Sequence, residues 1–150
     1  MDIFSPEVLF KRTDPDAPRP RPAKDGDAGI DLCSMDTVEI APQGMVKVHT
    51  GIAMAIPEHY EGTIRPRSGM ATKRGITIIN TPATIDSNYR GEILLPLYNA
   101  GHENVVVERG ERVAQILIKL QPLPRMVEVD ELPKSNRGED GFGSTGYGRL

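Results

Sequence analysis

Apolar residues along the chain come in short runs separated by 15 glycines and 13 prolines. Apolar and polar side chains alternate over residues 45–50 and 112–120, the period of a half-buried β-strand. A helical period appears only around residues 68–74. The continuous apolar run 52–56 is typical of a strand buried on both faces. Oligomerisation would explain this excess of apolar residues. The pattern predicts an all-β fold with one short helix.

Two segments are too poor in regular pattern to be part of a core. Residues 13–24 carry four prolines among charged residues, which excludes a central strand and predicts an extended surface connection. Residues 134–150 contain five glycines and few apolar side chains. We therefore divide the chain into a β domain, residues 1–133, and a flexible glycine-rich carboxy-terminal segment, residues 134–150.

Composition excludes several classes of function. No apolar run approaches the roughly 20 residues of a membrane-spanning helix. The net charge of -3 and the pI of about 5.6 argue against direct binding of a nucleic-acid backbone. The single cysteine, Cys33, excludes an intramolecular disulfide and is predicted to be a small, semi-buried apolar residue. Without a recognisable secretory or transit segment at residues 1–5, a cytoplasmic location is expected.

The turn-rich hairpin of residues 80–91 places a carboxylate, Asp86, three residues before an aromatic ring, Tyr89. A carboxylate among small polar residues can hold and deprotonate a water molecule, and the tyrosine ring can stack against a sugar or a base. Asp-Ser-Asn is also ordinary turn chemistry, so on these residues alone a simple turn is the alternative.

Residues 65–69, Arg-Pro-Arg-Ser-Gly, open the predicted helix. Ser68 is predicted to cap it, so that the free N–H groups beyond would face an anion, with Arg67 adding positive charge. A capped helix with two solvated arginines is the alternative. No P-loop and no dinucleotide-binding glycine motif occurs, so phosphate would have to be bound in another way.

The glycine-rich segment carries hydrogen-bond donors and one aromatic plane, a combination that could bind a phosphate chain beneath a base. The side chains concerned are Arg137, Phe142, Ser144 and Thr145. A disordered terminus is the alternative that the glycine spacing alone favours.

Five segments match a known pattern in order and at similar separations: residues 27–32 (DAGIDL), 66–69 (PRSG), 84–91 (TIDSNYRG), 112–115 (RVAQ) and 137–146 (RGEDGFGSTG). On these segments the chain resembles the trimeric deoxyuridine triphosphatases, or dUTPases. The resemblance implies a distorted jelly-roll subunit, also called a β-clip, in a homotrimer with three shared active sites. It further implies that the glycine-rich segment closes as a lid over the active site of a neighbouring subunit.

The activity implied by the resemblance is hydrolysis of dUTP to dUMP and pyrophosphate. That reaction keeps uracil out of DNA and supplies dUMP for thymidylate synthesis. Asp86 would be the general base for a water that attacks the α-phosphorus, and Asp31 would hold Mg²⁺ through water, with Mn²⁺ a possible substitute. Tyr89 would stack on the deoxyribose, and Asn80 would read the uracil edge. The full set of implied substrate-binding residues is Arg67, Ser68, Gly69, Asn80, Ile85, Tyr89, Gln115, Arg137, Phe142, Gly143, Ser144 and Thr145, with Arg112 as structural support.

Three residues differ from the family pattern: Ala83 replaces a glycine, Asn88 replaces an aspartate and Asp140 replaces a glycine. Two other functions remain as alternatives. One is a dCTP deaminase of the same fold, which would need a glutamate beside the base. The other is a regulatory protein that binds nucleotide without needing turnover.

Overall fold

The computed structural model describes residues 5–139. These residues form ten β-strands and one short helix, so the all-β prediction with one helix is confirmed. In chain order the elements are β1 (Leu9–Arg12), β2 (Ile30–Cys33), β3 (Val38–Ile40), β4 (Met45–Ala55), β5 (Tyr60–Pro66), α1 (Ser68–Arg74), β6 (Ile76–Ile78), β7 (Ala83–Ile85), β8 (Glu92–Asn99), β9 (Val105–Val107) and β10 (Arg112–Leu120).

The strands form two four-stranded sheets and one two-stranded sheet, and every pairing is antiparallel. The first sheet has the order β1-β4-β8-β6 and the second has the order β2-β10-β5-β7. Strands β3 and β9 form the small sheet. Neighbours in each large sheet are mostly distant in sequence, as in a jelly roll rather than a meander.

The core lies between the inward faces of the sheets. Strand β8 alternates between half-buried and buried residues along its length, and Leu95 and Leu97 are completely buried. Ile64 of β5 and Ile116 of β10 supply the matching face of the second sheet. This alternation is expected for a strand of an antiparallel sheet that packs one face against the core.

The helix has the bounds that the sequence predicts, but its cap differs from the prediction. Arg67, with φ -80° and ψ 138°, is the N-cap residue, and no side chain caps the helix, so the expected Ser68 cap is wrong. Because β5 continues through Pro66, the transition from extended to helical backbone falls on Arg67, and Ser68 is already helical. Gly75 ends the helix in the left-handed conformation, with φ 66°.

Two connecting segments lie outside the three sheets. Residues 13–24 contain no strand and contact β2 through a single bridge, Pro22 to Ile30, as their prolines predict. After β10, residues 121–139 continue as exposed chain without regular structure, and their apolar side chains Leu123, Met126 and Leu132 are 63%, 87% and 84% exposed. In residues 5–139 no helix combines the length and the apolar character needed to cross a bilayer.

Candidate active site

A cleft of about 520 Å³ opens where β2, β5, β10 and the start of α1 meet. Five of the predicted site residues lie in its wall, although they come from three separate sequence segments. The lining residues are Ala23, Asp27, Ala28, Gly29, Asp31, Arg65, Arg67, Ser68, Gly69, Gln115 and Leu117. The fold therefore brings together Asp31 and the predicted phosphate-binding set Arg67, Ser68, Gly69 and Gln115.

Sheet register places Gln115 at the floor of this cleft. On β10, Gln115 lies opposite Asp31 of β2, and its side-chain amide donates a hydrogen bond to the carbonyl of Pro66 at 3.2 Å. The side chain passes against Gly29, where an added Cβ would collide with the amide oxygen and lie 3.1 Å from Cδ. Glycine at position 29 thus leaves room for the observed position of Gln115.

Asp31 is the centre of charge in the cleft. One of its oxygens accepts from Arg67 Nε at 2.9 Å and the other from Arg112 Nη1 at 3.1 Å. The Asp31 side chain is 18% exposed, so this carboxylate is partly shielded from water but still reaches the cleft. Arg112 holds Asp31 from the side, in keeping with a supporting role. Nearby Cys33 is buried, and burial, followed by the Asp31 charge, raises the pKa of its thiol.

A second, smaller cleft of about 230 Å³ lies beside the hairpin between β7 and β8. Its walls include Asp86, Tyr89, Ile85 and Glu92. Asp86 is exposed, and within residues 5–139 its carboxylate accepts no hydrogen bond and forms no ion pair. A carboxylate with both oxygens free and facing an open cleft is able to accept a proton from a bound water.

Tyr89 is fixed above the backbone of its own hairpin. Its hydroxyl donates to the carbonyl of Glu92 at 2.8 Å, and its ring crosses Gly91, where an added Cβ would lie 2.6 Å from Cζ. Glu92 is itself anchored, because its carboxylate accepts from the N–H of Gly51 at 2.7 Å. The ring therefore has a defined position, and Tyr89 lines the cleft while the residue remains 41% exposed.

We expect Gly91→Ala to displace the Tyr89 ring. The resemblance implies that this ring stacks on the sugar of dUTP, and on that expectation the substitution should lower kcat/KM for dUTP about 10- to 100-fold and narrow the preference for dUTP over UTP. Steady-state kinetics with both nucleotides tests this. In a Tyr89→Ala background the same Gly91→Ala change should have little further effect on kcat/KM. If Gly91→Ala lowered kcat/KM by the same factor in that background, displacement of the Tyr89 ring would not be the cause of the loss.

The two clefts are far apart within one chain. Ile85 pairs with Gly62 on β5, whereas Arg67 lies five residues further along, just beyond the end of that strand. At 3.3 Å per residue the separation along the sheet is about 16 Å, well beyond hydrogen-bonding distance. One chain therefore presents the predicted base and the predicted phosphate site in different places.

The remaining predicted residues lie elsewhere. Asn80 is exposed in the turn after β6 and lines neither cleft, and exposed Arg137 is also absent from both walls. The side chains of Ile85 and Ala83 both pack against the core. The Ala83 methyl group is therefore directed toward the core. The predicted residues Phe142, Gly143, Ser144 and Thr145, together with Asp140, lie outside the described residues.

The cleft residues fit a divalent ion that is held mainly by its ligand. Within residues 5–139 no group of three or more His, Cys, Asp or Glu side chains could hold a metal ion. Mg²⁺ takes oxygen ligands and keeps several of its waters, so one carboxylate acting through water is enough when phosphate oxygens complete the shell. Asp31, a hard oxygen donor in the wall of the cleft, is suitable for that role.

Arg65 is a cleft residue that the sequence interpretation did not select. It belongs to the segment that opens the helix, but its direction depends on the register between β5 and β10. The signal available in the sequence was its two-residue spacing from Arg67, which was not sufficient to identify it.

Known proteins resemble most of this chain. The dUTPase family model matches residues 16–146. Deoxyuridine 5'-triphosphate nucleotidohydrolase of Thermobifida fusca is 49% identical over 140 residues, which cover 93% of this chain and 78% of that protein. The protein of the same name from Clostridium novyi is 46% identical over 140 residues, which cover 93% of this chain and 99% of that protein.

Solved structures agree in fold. The dUTPase of Staphylococcus bacteriophage 80alpha, solved with dUpNHpp, superimposes with a TM-score of 0.86 at 29% identity, covering 94% of this chain and 99% of that one. The comparisons do not favour a deaminase or a purely regulatory protein. A family match over most of the chain, close relatives of one name and a shared fold lead to one conclusion: the chain belongs to the dUTPase family.

Proposed function

We propose that the protein hydrolyses dUTP to dUMP and pyrophosphate, as a dUTP diphosphatase. The observation that carries the proposal is the cleft in which Asp31, Arg67, Ser68, Gly69 and Gln115 meet, together with a hairpin that carries a free carboxylate and a fixed aromatic ring. The cleft offers groups that can bind a triphosphate, and the hairpin offers a general base and a surface on which the sugar can stack.

Asp86 acts as the general base. Its carboxylate takes a proton from a water molecule as the water oxygen attacks the α-phosphorus of dUTP. The bond between that phosphorus and the bridging oxygen to the β-phosphorus breaks, and pyrophosphate leaves with the bond electrons. The exposed Asp86 is accessible to such a water.

The phosphate chain binds in the larger cleft. Arg67 supplies a guanidinium group, and the first turn of α1 at Ser68 and Gly69 supplies backbone N–H groups that no side chain caps. Gln115 contributes its amide from the cleft floor. Asp31 would hold the hydration shell of Mg²⁺, which when bound offsets the negative charge of the phosphates.

Selectivity arises at the hairpin. Tyr89, held over Gly91, packs against the deoxyribose and leaves no space for a 2′-hydroxyl. Asn80 and backbone groups near Ile85 read the uracil edge. Because the Ala83 methyl group packs toward the core, the replacement of the usual glycine leaves the base-facing side of β7 unobstructed.

The functional unit is a homotrimer in which the base of one subunit meets the phosphate cleft of another. The separation of about 16 Å along the sheet within one chain supports this, since it places the hairpin that carries Asp86 away from that chain's own larger cleft. The exposed apolar side chains after β10 support it too, because such residues are normally covered in an assembly.

The carboxy-terminal segment, residues 134–150, closes as a lid over a neighbouring subunit's site. Arg137, Ser144 and Thr145 bind the terminal phosphates, Gly143 permits close backbone approach, and Phe142 covers the uracil. Closure excludes bulk water from the reaction. We further propose a cytoplasmic location without direct nucleic-acid binding, in keeping with one free cysteine and a net charge of -3.

The proposal is tested by pyrophosphate release with dUTP, dCTP, dTTP and UTP as parallel substrates, in Mg²⁺, in Mn²⁺ and in EDTA. We expect turnover of dUTP alone, lost in EDTA and restored by added Mg²⁺. Ammonia release from dCTP would replace the proposal with a deaminase, and no reaction with any nucleotide would leave a binding protein.

A further inference from the structure

Three residues form a row across the floor of the larger cleft. Gln115 of β10 lies opposite Asp31 of β2 on one side and opposite Arg65 of β5 on the other. Residues directly opposite each other in antiparallel strands project from the same face of the sheet. All three line the cleft. Arg65 is therefore a neighbour of Asp31 and Gln115, for which metal binding and phosphate binding are proposed above.

Among residues 5–139, Arg65 differs from the neighbouring arginines Arg67 and Arg112 in having no side-chain partner. Arg67 and Arg112 both contact Asp31, which compensates part of their charge. In the part of the chain from 5 to 139, Arg65 forms no ion pair and its side chain donates no hydrogen bond. Its five donors and its full charge are thus available to a ligand that enters the cleft.

The backbone holds Arg65 in place. Pro66 follows it and restricts it to an extended conformation, and its pairing with Gln115 fixes the face on which its side chain lies. A guanidinium group that lines a cleft and has no ion-pair partner among residues 5–139 is available to bind phosphate oxygens, through two parallel hydrogen bonds.

We propose that Arg65 is a further phosphate-binding residue of this cleft, donating hydrogen bonds to the nucleotide's phosphate chain beside Gln115. The inference rests on the proposed function, because it assigns a ligand to the same cleft. Arg65 adds to the cleft a positive charge that Asp31 does not compensate, whereas the charge of Arg67 is shared between Asp31 and the ligand.

The test compares Arg65→Gln and Arg65→Lys with the unchanged protein. Affinity for dUpNHpp in Mg²⁺ is measured by calorimetry, and affinity for deoxyuridine, which has no phosphate, by competition. We expect Arg65→Gln to weaken dUpNHpp binding about tenfold and to leave deoxyuridine binding unchanged. The dUpNHpp affinity of Arg65→Lys should lie between those of Arg65→Gln and the unchanged protein, because lysine keeps the charge but not the paired donors.

Lys47→Gln is the matched control, since Lys47 is an exposed cation on β4, in the other large sheet. It should leave both affinities unchanged, and thermal unfolding should show all variants folded. Unchanged dUpNHpp affinity in Arg65→Gln would overturn the proposal, as would an equal loss for deoxyuridine. If the unchanged protein itself fails to bind dUpNHpp, the proposed function fails instead, so the two outcomes are distinct.

Discussion

Asp86→Asn is expected to lower the rate of dUTP hydrolysis by about 10²- to 10⁴-fold, the range for removal of a general base. Asparagine has nearly the same shape as aspartate but does not accept the proton from water. The Asp86 carboxylate accepts no hydrogen bond within residues 5–139, so the substitution leaves no group unpaired and should not unfold the protein. Single-turnover kinetics at saturating dUTP measures the chemical step directly.

Nucleotide affinity distinguishes the loss of the general base from damage to the binding site. In Asp86→Asn, dUpNHpp affinity should stay close to that of the unchanged protein, because the phosphate cleft is separate from Asp86. Asp25→Asn, the same chemical change at an exposed aspartate outside both clefts, is the control and should keep full activity. Hydrolysis by Asp86→Asn at an undiminished rate would remove Asp86 from the mechanism.

Arg67→Gln is expected to lower kcat/KM for dUTP about 10²- to 10³-fold, comparable to removal of one preorganised donor from a site that stabilises developing charge. Arg67 begins the helix at the cleft and contacts Asp31, so its loss removes the proposed phosphate contact and one of the contacts that orient that carboxylate. Asp31 keeps its contact with Arg112 at 3.1 Å, and it is therefore not left unpaired. Steady-state kinetics in Mg²⁺ provides the measurement.

Two further variants separate charge from geometry at this position. Arg67→Lys should recover only part of the loss, because a single ammonium group does not reproduce the paired donors of the guanidinium. Lys73→Gln removes an exposed cation from the opposite end of the same helix and should be neutral. Wild-type kcat/KM in Arg67→Gln would show that the phosphates bind elsewhere.

Much of the architecture follows from local pattern. The helix spans the residues predicted from periodicity, because Gly75 provides the left-handed conformation that ends it. The alternation in β10 and the apolar run in β4 likewise correspond to observed strands. Strand β1 was not predicted, since its four residues are all exposed and only its pairing with β4 makes it a strand. Tertiary pairing, rather than propensity, decides such an element.

Part of the lining of the larger cleft was predictable from the sequence, but the arrangement of the two clefts was not. Motif order identified Asp31, Arg67 and Gln115, and the fold brings them together in one cleft. The distance of the hairpin from that cleft depends on the register of Ile85 with Gly62, which no motif contains. Arg65 was missed for the same reason, because its relation to Gln115 exists only once β5 and β10 are paired.

The central claim is that each active site takes its base from one subunit and its phosphate cleft from another. The most direct test is to mix Asp86→Asn with Arg67→Gln, each with at most about one per cent of wild-type activity alone, by joint unfolding and refolding, and to verify mixed trimers by native mass spectrometry. A shared site predicts recovery to about one quarter of wild-type activity at equal mixing, the fraction of interfaces that combine an intact Asp86 with an intact Arg67. Mixed trimers that form and remain inactive would contradict the account.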